Sequence, residues 1–242
     1  MTFVLTPGQD DIPQTLLIDA DDTLWENNIY FERSIADFIS FLNHREFTPK
    51  QVRERLNQVE RESIVTHGYG LNSFANALCR TFERLSVEPL TPELRERIHS
   101  FAFRIAEHPV EIISGVAETL QHLTGRNHHM IVMTKGAPAE QISKVERSGL
   151  QQYFAAVEVA AEKNASAYRG VAEKYGLDPD VTWMIGNSPR SDVNPALEAG
   201  LNAVFVPHDM TWVLEHEEIA SPSKAGQKLL KIQRFPELQH HF

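Results

Sequence analysis

Apolar and polar positions follow two different rhythms along this chain. Near the start, Thr15-Leu16-Leu17-Ile18-Asp19 is an unbroken apolar run closed by an acid, the pattern of a strand buried on both faces of a parallel sheet. From Asn28 to His108 the period becomes helical, with Leu94, Ile98, Phe101 and Ile105 spaced four, three and four apart and no strand pattern between. Thr48-Pro49 and Thr91-Pro92 mark two helix starts, each a capping hydroxyl before a proline suited to the first turn. The turn His67-Gly68-Tyr69-Gly70-Leu71-Asn72 is bracketed by glycines, which permit positive φ and a close backbone approach.

After His108 helix and strand alternate. The pattern predicts helices over Gly115–Thr124, Ala137 to about Ser148, Ala165–Tyr175 and Pro195–Ala199. The strands are Met130–Thr134, Ala156–Ala160, Thr182–Ile185 and Ala203–Val206. Such alternation implies βαβ units and a mostly parallel sheet. The first strand belongs to that sheet although the helical block separates them. The chain is therefore expected to be α/β, a Rossmann-like parallel-sheet core formed by residues 1–27 and 109–242, with an inserted all-helical cap over 28–108. The tail His208–Phe242 carries no clear periodicity and receives no element.

Composition narrows the function. The 242 residues, 42% hydrophobic and without low-complexity stretches, are those of an ordinary globular protein. A formal net charge of −10 argues against a nucleic-acid partner, which needs many cationic contacts to phosphates. Recognition of a small anion would need a local cluster of cations and amides. The lone Cys79 excludes an internal disulfide, and Met1–Thr15 lacks the basic start and apolar core of a secretory signal. No apolar run reaches the roughly 20 residues of a membrane span, so a cytoplasmic protein without a membrane partner is expected. The histidines, His128-His129 and His240-His241 included, show no metal-ligand spacing and read as surface or tail residues.

In an open parallel sheet the ligand site lies beyond the carboxyl ends of the strands. Four polar runs fall there: Asp19-Ala20-Asp21-Asp22-Thr23, Thr134-Lys135-Gly136, Glu162-Lys163, and Gly186-Asn187-Ser188-Pro189-Arg190-Ser191-Asp192. Each alone is ordinary loop or capping material. Together, an acid pair, a hydroxyl, a lysine and a second acidic loop are the parts for phosphoryl transfer through a carboxylate. Asp19 and Asp21, two apart, share a face if the chain stays extended. One can attack phosphorus while the other protonates the leaving oxygen and later activates water. Two such anions facing an anionic substrate need offsetting cations, which Lys163 and a bound Mg²⁺ would supply. Thr134 can donate its hydroxyl to a phosphate oxygen.

The run Asp19-Ala20-Asp21-Asp22-Thr23-Leu24 resembles the Asp-x-Asp-x-Thr-Leu motif of the haloacid dehalogenase superfamily. Thr134 matches its second motif, Lys163 its third, and Asn187–Asp192 its fourth. The resemblance spans about Thr15 to Pro207, and the helical block stands where that superfamily inserts a cap. It implies Asp19 as nucleophile, Asp21 as acid/base, Thr134 and Lys163 as further catalytic residues, and Mg²⁺ held by Asp19, Asp21, Asn187 and Asp192. Thr23, Lys135, Tyr69 and Asn72 are the candidate substrate contacts. The fourth motif departs from the usual Gly-Asp opening, placing the neutral amide of Asn187 at a metal-binding position, from which weaker metal affinity is expected.

The expected activity is Mg²⁺-dependent hydrolysis of small phosphorylated metabolites. A 2-haloacid dehalogenase is the alternative within the superfamily, although Asp21 supplies an acid that halide displacement does not require. A phospho-receiver module would be shorter, with its acceptor acid on a later strand, and a non-catalytic relative rests only on Asn187. No Gly-x-Gly-x-x-Gly follows a strand, which excludes the common dinucleotide fingerprint.

Overall fold

The computed structural model describes residues 12–242; residues 1–11, which the sequence reading puts in the core, lie outside the described residues. The chain divides into two compact units, one combining the residues up to Glu26 with Val110–Phe242, the other comprising Asn27–Pro109.

The first unit is a parallel six-stranded sheet in the order β3-β2-β1-β4-β5-β6. Its strands are β1 (Thr15–Ile18), β2 (His129–Lys135), β3 (Ala156–Ala160), β4 (Thr182–Gly186), β5 (Asn202–Phe205) and β6 (Leu229–Lys231). The apolar run of β1 occupies the centre, and its side chains alternate between two cores. Leu16 and Ile18 join Val132, Ile185 and Val204 on one face, while Leu17 joins Ile131, Met133 and Met184 on the other. Ile18 is in register with Val132 and Ile185, so the polar residues that follow the central strands emerge at one edge.

The helices cover both faces. Val116, Leu120 and Leu123 of α5 (Val116–Gly125) and Val145 of α6 (Pro138–Ser148) pack on the first face. Tyr168 and Val171 of α7 (Ala165–Tyr175) and Ala196 of α8 (Asn194–Ala199) pack on the second. The tail, unassigned from sequence, contributes the edge strand β6 and buries Phe235, Leu238 and Phe242 in the first core. Predicted strand Ala203–Val206 begins one residue earlier, because Asn202 is buried as a polar brace. Its amide donates to the carbonyls of Pro179, Asp180 and Thr182, and its oxygen accepts from Lys228 N.

After β1 the chain makes a tight turn and returns as a short extended segment. Leu24–Glu26 pairs antiparallel with Glu111–Ile113 through Glu26 N to Glu111 O at 2.9 Å and Ile113 N to Leu24 O at 3.0 Å. Chain leaving the first unit and chain re-entering it thus form a two-stranded ribbon, with Trp25 buried against the core beneath.

The second unit is all-helical, with α1 (Asn28–Leu42), α2 (Pro49–His67), α3 (Leu71–Leu85) and α4 (Pro92–Phe103). Phe38, Leu56, Val59, Leu78, Ile98 and Phe101 form its centre. Both Thr-Pro starts are caps: Thr48 accepts from Gln51 N in a reciprocal capping box, and Thr91 accepts from Leu94 N at 3.3 Å. Helix α4 ends at Phe103, and Ile105 completes its apolar stripe from a 3₁₀ turn over Arg104–Glu107. Among the described residues no helix is long and apolar enough to cross a membrane.

Candidate active site

Asp19 leaves the central strand with its backbone N–H on Ile185 O at 2.9 Å, so its side chain is fixed at the sheet edge. The carboxylate is buried and held at both oxygens: Lys163 Nζ donates to Oδ1 at 2.5 Å and Thr23 Oγ1 to Oδ2 at 3.0 Å. Thr23 returns to Asp19 because the chain turns on Ala20, whose carbonyl accepts from Thr23 N and Leu24 N, with Asp22 in the left-handed region at φ 61°. Lys163, after β3, also donates to Asp192 Oδ1 at 2.6 Å, and Asp192 Oδ2 accepts from Ser188 N at 2.9 Å. Asp192 lies on a single wide helical turn over Pro189–Val193. Gly186 makes room for it: a Cβ there would stand 2.2 Å from Asp192 Oδ2.

Two buried carboxylates thus share one ammonium. Burial pushes both carboxyls up, and Lys163 offsets only part of this: Asp192 rises to about 7 and Asp19 also rises. Burial works against the Lys163 cation too, but the two carboxylates outweigh it and hold its pKa well above the ordinary lysine value.

Asp21 belongs to a neighbouring group. Both its oxygens accept from Lys144 Nζ at 2.6 Å, and it also receives Gln141 Nε2 at 3.0 Å and Trp25 Nε1 at 2.8 Å. Burial alone would raise its pKa, but Lys144 and these donors reverse the sign and hold Asp21 below its ordinary range. Gln141 and Lys144 are three apart in the first two turns of α6 and so share a face. Neither was singled out from sequence; the available signal was two polar residues at helical spacing just beyond the Thr134 strand end.

Asn187 Oδ1 accepts from Thr23 Oγ1 at 3.3 Å, while its Nδ2 donates to Thr211 Oγ1 at 3.0 Å. The Asp19 and Asn187 oxygens therefore converge on one hydroxyl from adjacent strand ends. This pair of hard oxygen donors suits a divalent cation such as Mg²⁺. Of the other two expected ligands, Asp21 is engaged by Lys144 at both oxygens and Asp192 by Lys163 and Ser188. Thr134 is buried at the end of β2. Lys135 donates to Ser191 Oγ at 2.7 Å and to Glu215 Oε1 at 2.6 Å, and lies 3.6 Å from Glu162. Tyr69 and Asn72 belong to the helical unit, at the α2–α3 turn where Gly68 and Gly70 take φ of 70° and 120°.

The reading of all histidines as surface or tail residues needs correction. His128 Nδ1 accepts from Gln14 N, and its ring packs edge-on against buried Phe242. His208 is largely buried, with Nε2 3.2 Å from Glu26 and Nδ1 3.9 Å from Asp22. Donor atoms of Asp22, Glu26 and His208 all lie within 4.8 Å of one another. No linear spacing could reveal this, since His208 is separated from the other two by almost the whole sheet.

A parallel sheet covered by helices, with acids, hydroxyls and lysines gathered at its strand ends around one buried aspartate, makes this a Rossmann-like α/β core with its candidate site at the carboxyl edge. The chain belongs to the haloacid dehalogenase-like hydrolase family, whose sequence profile matches residues 13–200. A haloacid dehalogenase-like hydrolase from Xanthomonas campestris superposes with a TM-score of 0.74 at 30% identity, covering 87% of each chain. The pyrimidine 5'-nucleotidase PynA of Streptococcus pneumoniae is 23% identical over 223 residues, 88% of this chain and 87% of its own. A glyceraldehyde 3-phosphate phosphatase of Methanothermobacter thermautotrophicus is 22% identical over 203 residues, 82% of this chain and 87% of its own.

Proposed function

We propose that this hydrolase is a Mg²⁺-dependent phosphatase of small phosphorylated metabolites in which Asp19 is the nucleophile. The observation that carries the reading is the Asp19 carboxylate itself, buried at the end of the central strand and oriented by Lys163 and Thr23. Asp19 attacks phosphorus, the ester P–O bond breaks, and the leaving oxygen takes a proton from Asp21. Asp21 then accepts a proton from the attacking water, which releases phosphate and restores Asp19. Because Lys144 holds Asp21 ionised, the acid role requires substrate to loosen that pair, as a phosphate drawing on the same ammonium would. Asp19 and Asn187 would hold Mg²⁺, which supplies charge neutralisation for the phosphate oxygens. Thr134 offers its hydroxyl to one of those oxygens. The phosphatase relatives support a small phosphorylated substrate, with Tyr69 and Asn72 as the proposed selecting residues.

The test is p-nitrophenyl phosphate hydrolysis with and without Mg²⁺, comparing the natural protein with Asp19→Asn. Metal-dependent turnover falling roughly 10³-fold or more in the variant is expected. Turnover that survives the substitution would remove Asp19 from the chemistry. One observation favours a second reading: Asp21 neutralised by Lys144 and an amide at position 187 suit attack of Asp19 on carbon with departure of halide, which requires neither acid nor metal. Release of halide from 2-haloacids, with no phosphate ester hydrolysed, would establish that alternative.

A further inference from the structure

Glu215 lies beyond residues 13–200, in the tail that shows no sequence pattern, yet it is one of the best-satisfied carboxylates in the core. Its Oε1 accepts from Lys135 Nζ at 2.6 Å, and its Oε2 accepts from both Ser188 Oγ and Ser191 Oγ at 2.5 Å. It is 8% exposed. These three donors come from two separate strand ends, the last residue of β2 and the loop after β4. Ser188 and Ser191 also bond each other, Ser191 N to Ser188 Oγ at 2.9 Å, and Ser188 N is the donor that holds Asp192. The tail grips the same loop at two further points, through Thr211 on Asn187 and through Leu214 O on Arg190.

We infer that Glu215 is a positioning residue for the reaction proposed above, fixing the loop of Asn187 and Asp192 against Asp19 and using Lys135 as a strut. The inference rests on that reading of the site. The charges agree with it. Counting the pairs among Asp19, Asp21, Glu162, Asp192 and Glu215 against Lys135, Lys144 and Lys163, five carboxylates face three ammonium groups. Without Glu215, Lys135 would keep Glu162 at 3.6 Å but lose its shortest carboxylate contact, the one that sets the direction of its amine. With it, the amine is directed to Ser191, and a surplus negative charge is left for a divalent cation.

Removing one member of a buried pair can unfold a protein, whereas removing both charges together is far milder. The experiment therefore compares Glu215→Gln, Lys135→Met and the double variant for kcat, KM and half-saturating Mg²⁺ with p-nitrophenyl phosphate. Folding of each is monitored by near-UV circular dichroism. In folded Glu215→Gln and in the double variant, half-saturating Mg²⁺ is expected to rise and kcat to fall, each by roughly 10-fold to 100-fold. KM should stay within about twofold, because no substrate contact is lost. A merely structural role would lower the folded fraction without moving the metal requirement of the folded enzyme. Wild-type kcat and metal requirement in the folded double variant would overturn the inference while leaving Asp19 untouched. A raised KM in Lys135→Met, with the metal requirement unchanged, would make Lys135 a phosphate ligand and overturn it equally. Failure of Asp19→Asn to abolish turnover would instead remove the site reading, and this inference with it.

Discussion

Gly186 ends β4 directly beside the Asp192 side chain. Its backbone passes so close to Asp192 that a methyl group would overlap the carboxylate, and Asp192 in turn shares Lys163 with Asp19. Gly186→Ala should therefore displace Asp192, lowering kcat on the order of 10²-fold and stability by about 1–3 kcal/mol; steady-state kinetics and a thermal melt read both. An alanine variant with unchanged kinetics would mean that the Asp192–Lys163 contact is dispensable. At this scale the sequence exposed groups lying in one run or closing an apolar strand: Asp19, Thr23, Lys163 and Asp192 stand in one hydrogen-bonded network. It concealed Lys144 and Glu215, because each becomes significant through a partner more than 75 positions away, Asp21 and Lys135 respectively. Lys135, expected from sequence to contact substrate, donates to Ser191 and Glu215.

Helix α2 carries an unresolved polar conflict. Glu60 is buried on it, and its Oε2 lies 3.9 Å from Arg53 Nη1, beyond hydrogen-bond reach, with neither atom finding another partner among the described residues. Arg53 is already committed to Glu32 of α1 at 2.5 Å. Burial, only partly offset by Arg53, raises Glu60 from 4.5 to about 7. A carboxyl whose folded pKa exceeds its unfolded one stabilises the fold while protonated, and stability declines as pH rises from about 4.5 through 7. Glu60→Gln should accordingly leave the melting temperature nearly unchanged at pH 5 and raise it at pH 8, relieving at most about 3 kcal/mol. Equal effects at both pH values would show that Glu60 titrates normally. The helices themselves were legible because their caps and apolar stripes are local. Glu60 was not, since a charge in a helical pattern ordinarily faces water and its burial arises only when the helices of the unit pack together.

For the molecule as a whole, the apolar rhythm sufficed to predict a parallel sheet with a helical insertion, because buried strands and βαβ alternation are written in consecutive residues. The tail escaped because β6 has three residues and the remainder is 3₁₀ turns and loops, too short for either period to develop, although Phe235, Leu238 and Phe242 close one core. The ribbon of Leu24–Glu26 and Glu111–Ile113 has a further consequence. Chain geometry makes residues 27–110 one oversized hairpin loop, entered and left through a doorway a single strand pair wide. Loop length is tolerated thermodynamically when the ends are already held together. Replacing residues 27–110 with Asn-Gly, the pair suited to a tight hairpin, should leave a sheet domain with cooperative unfolding and dispersed amide resonances. A molten product would show that the helices support the sheet. A folded one would make the helical block an exchangeable cassette, free to be lengthened, shortened or swapped while the residues at the strand ends stay where they are.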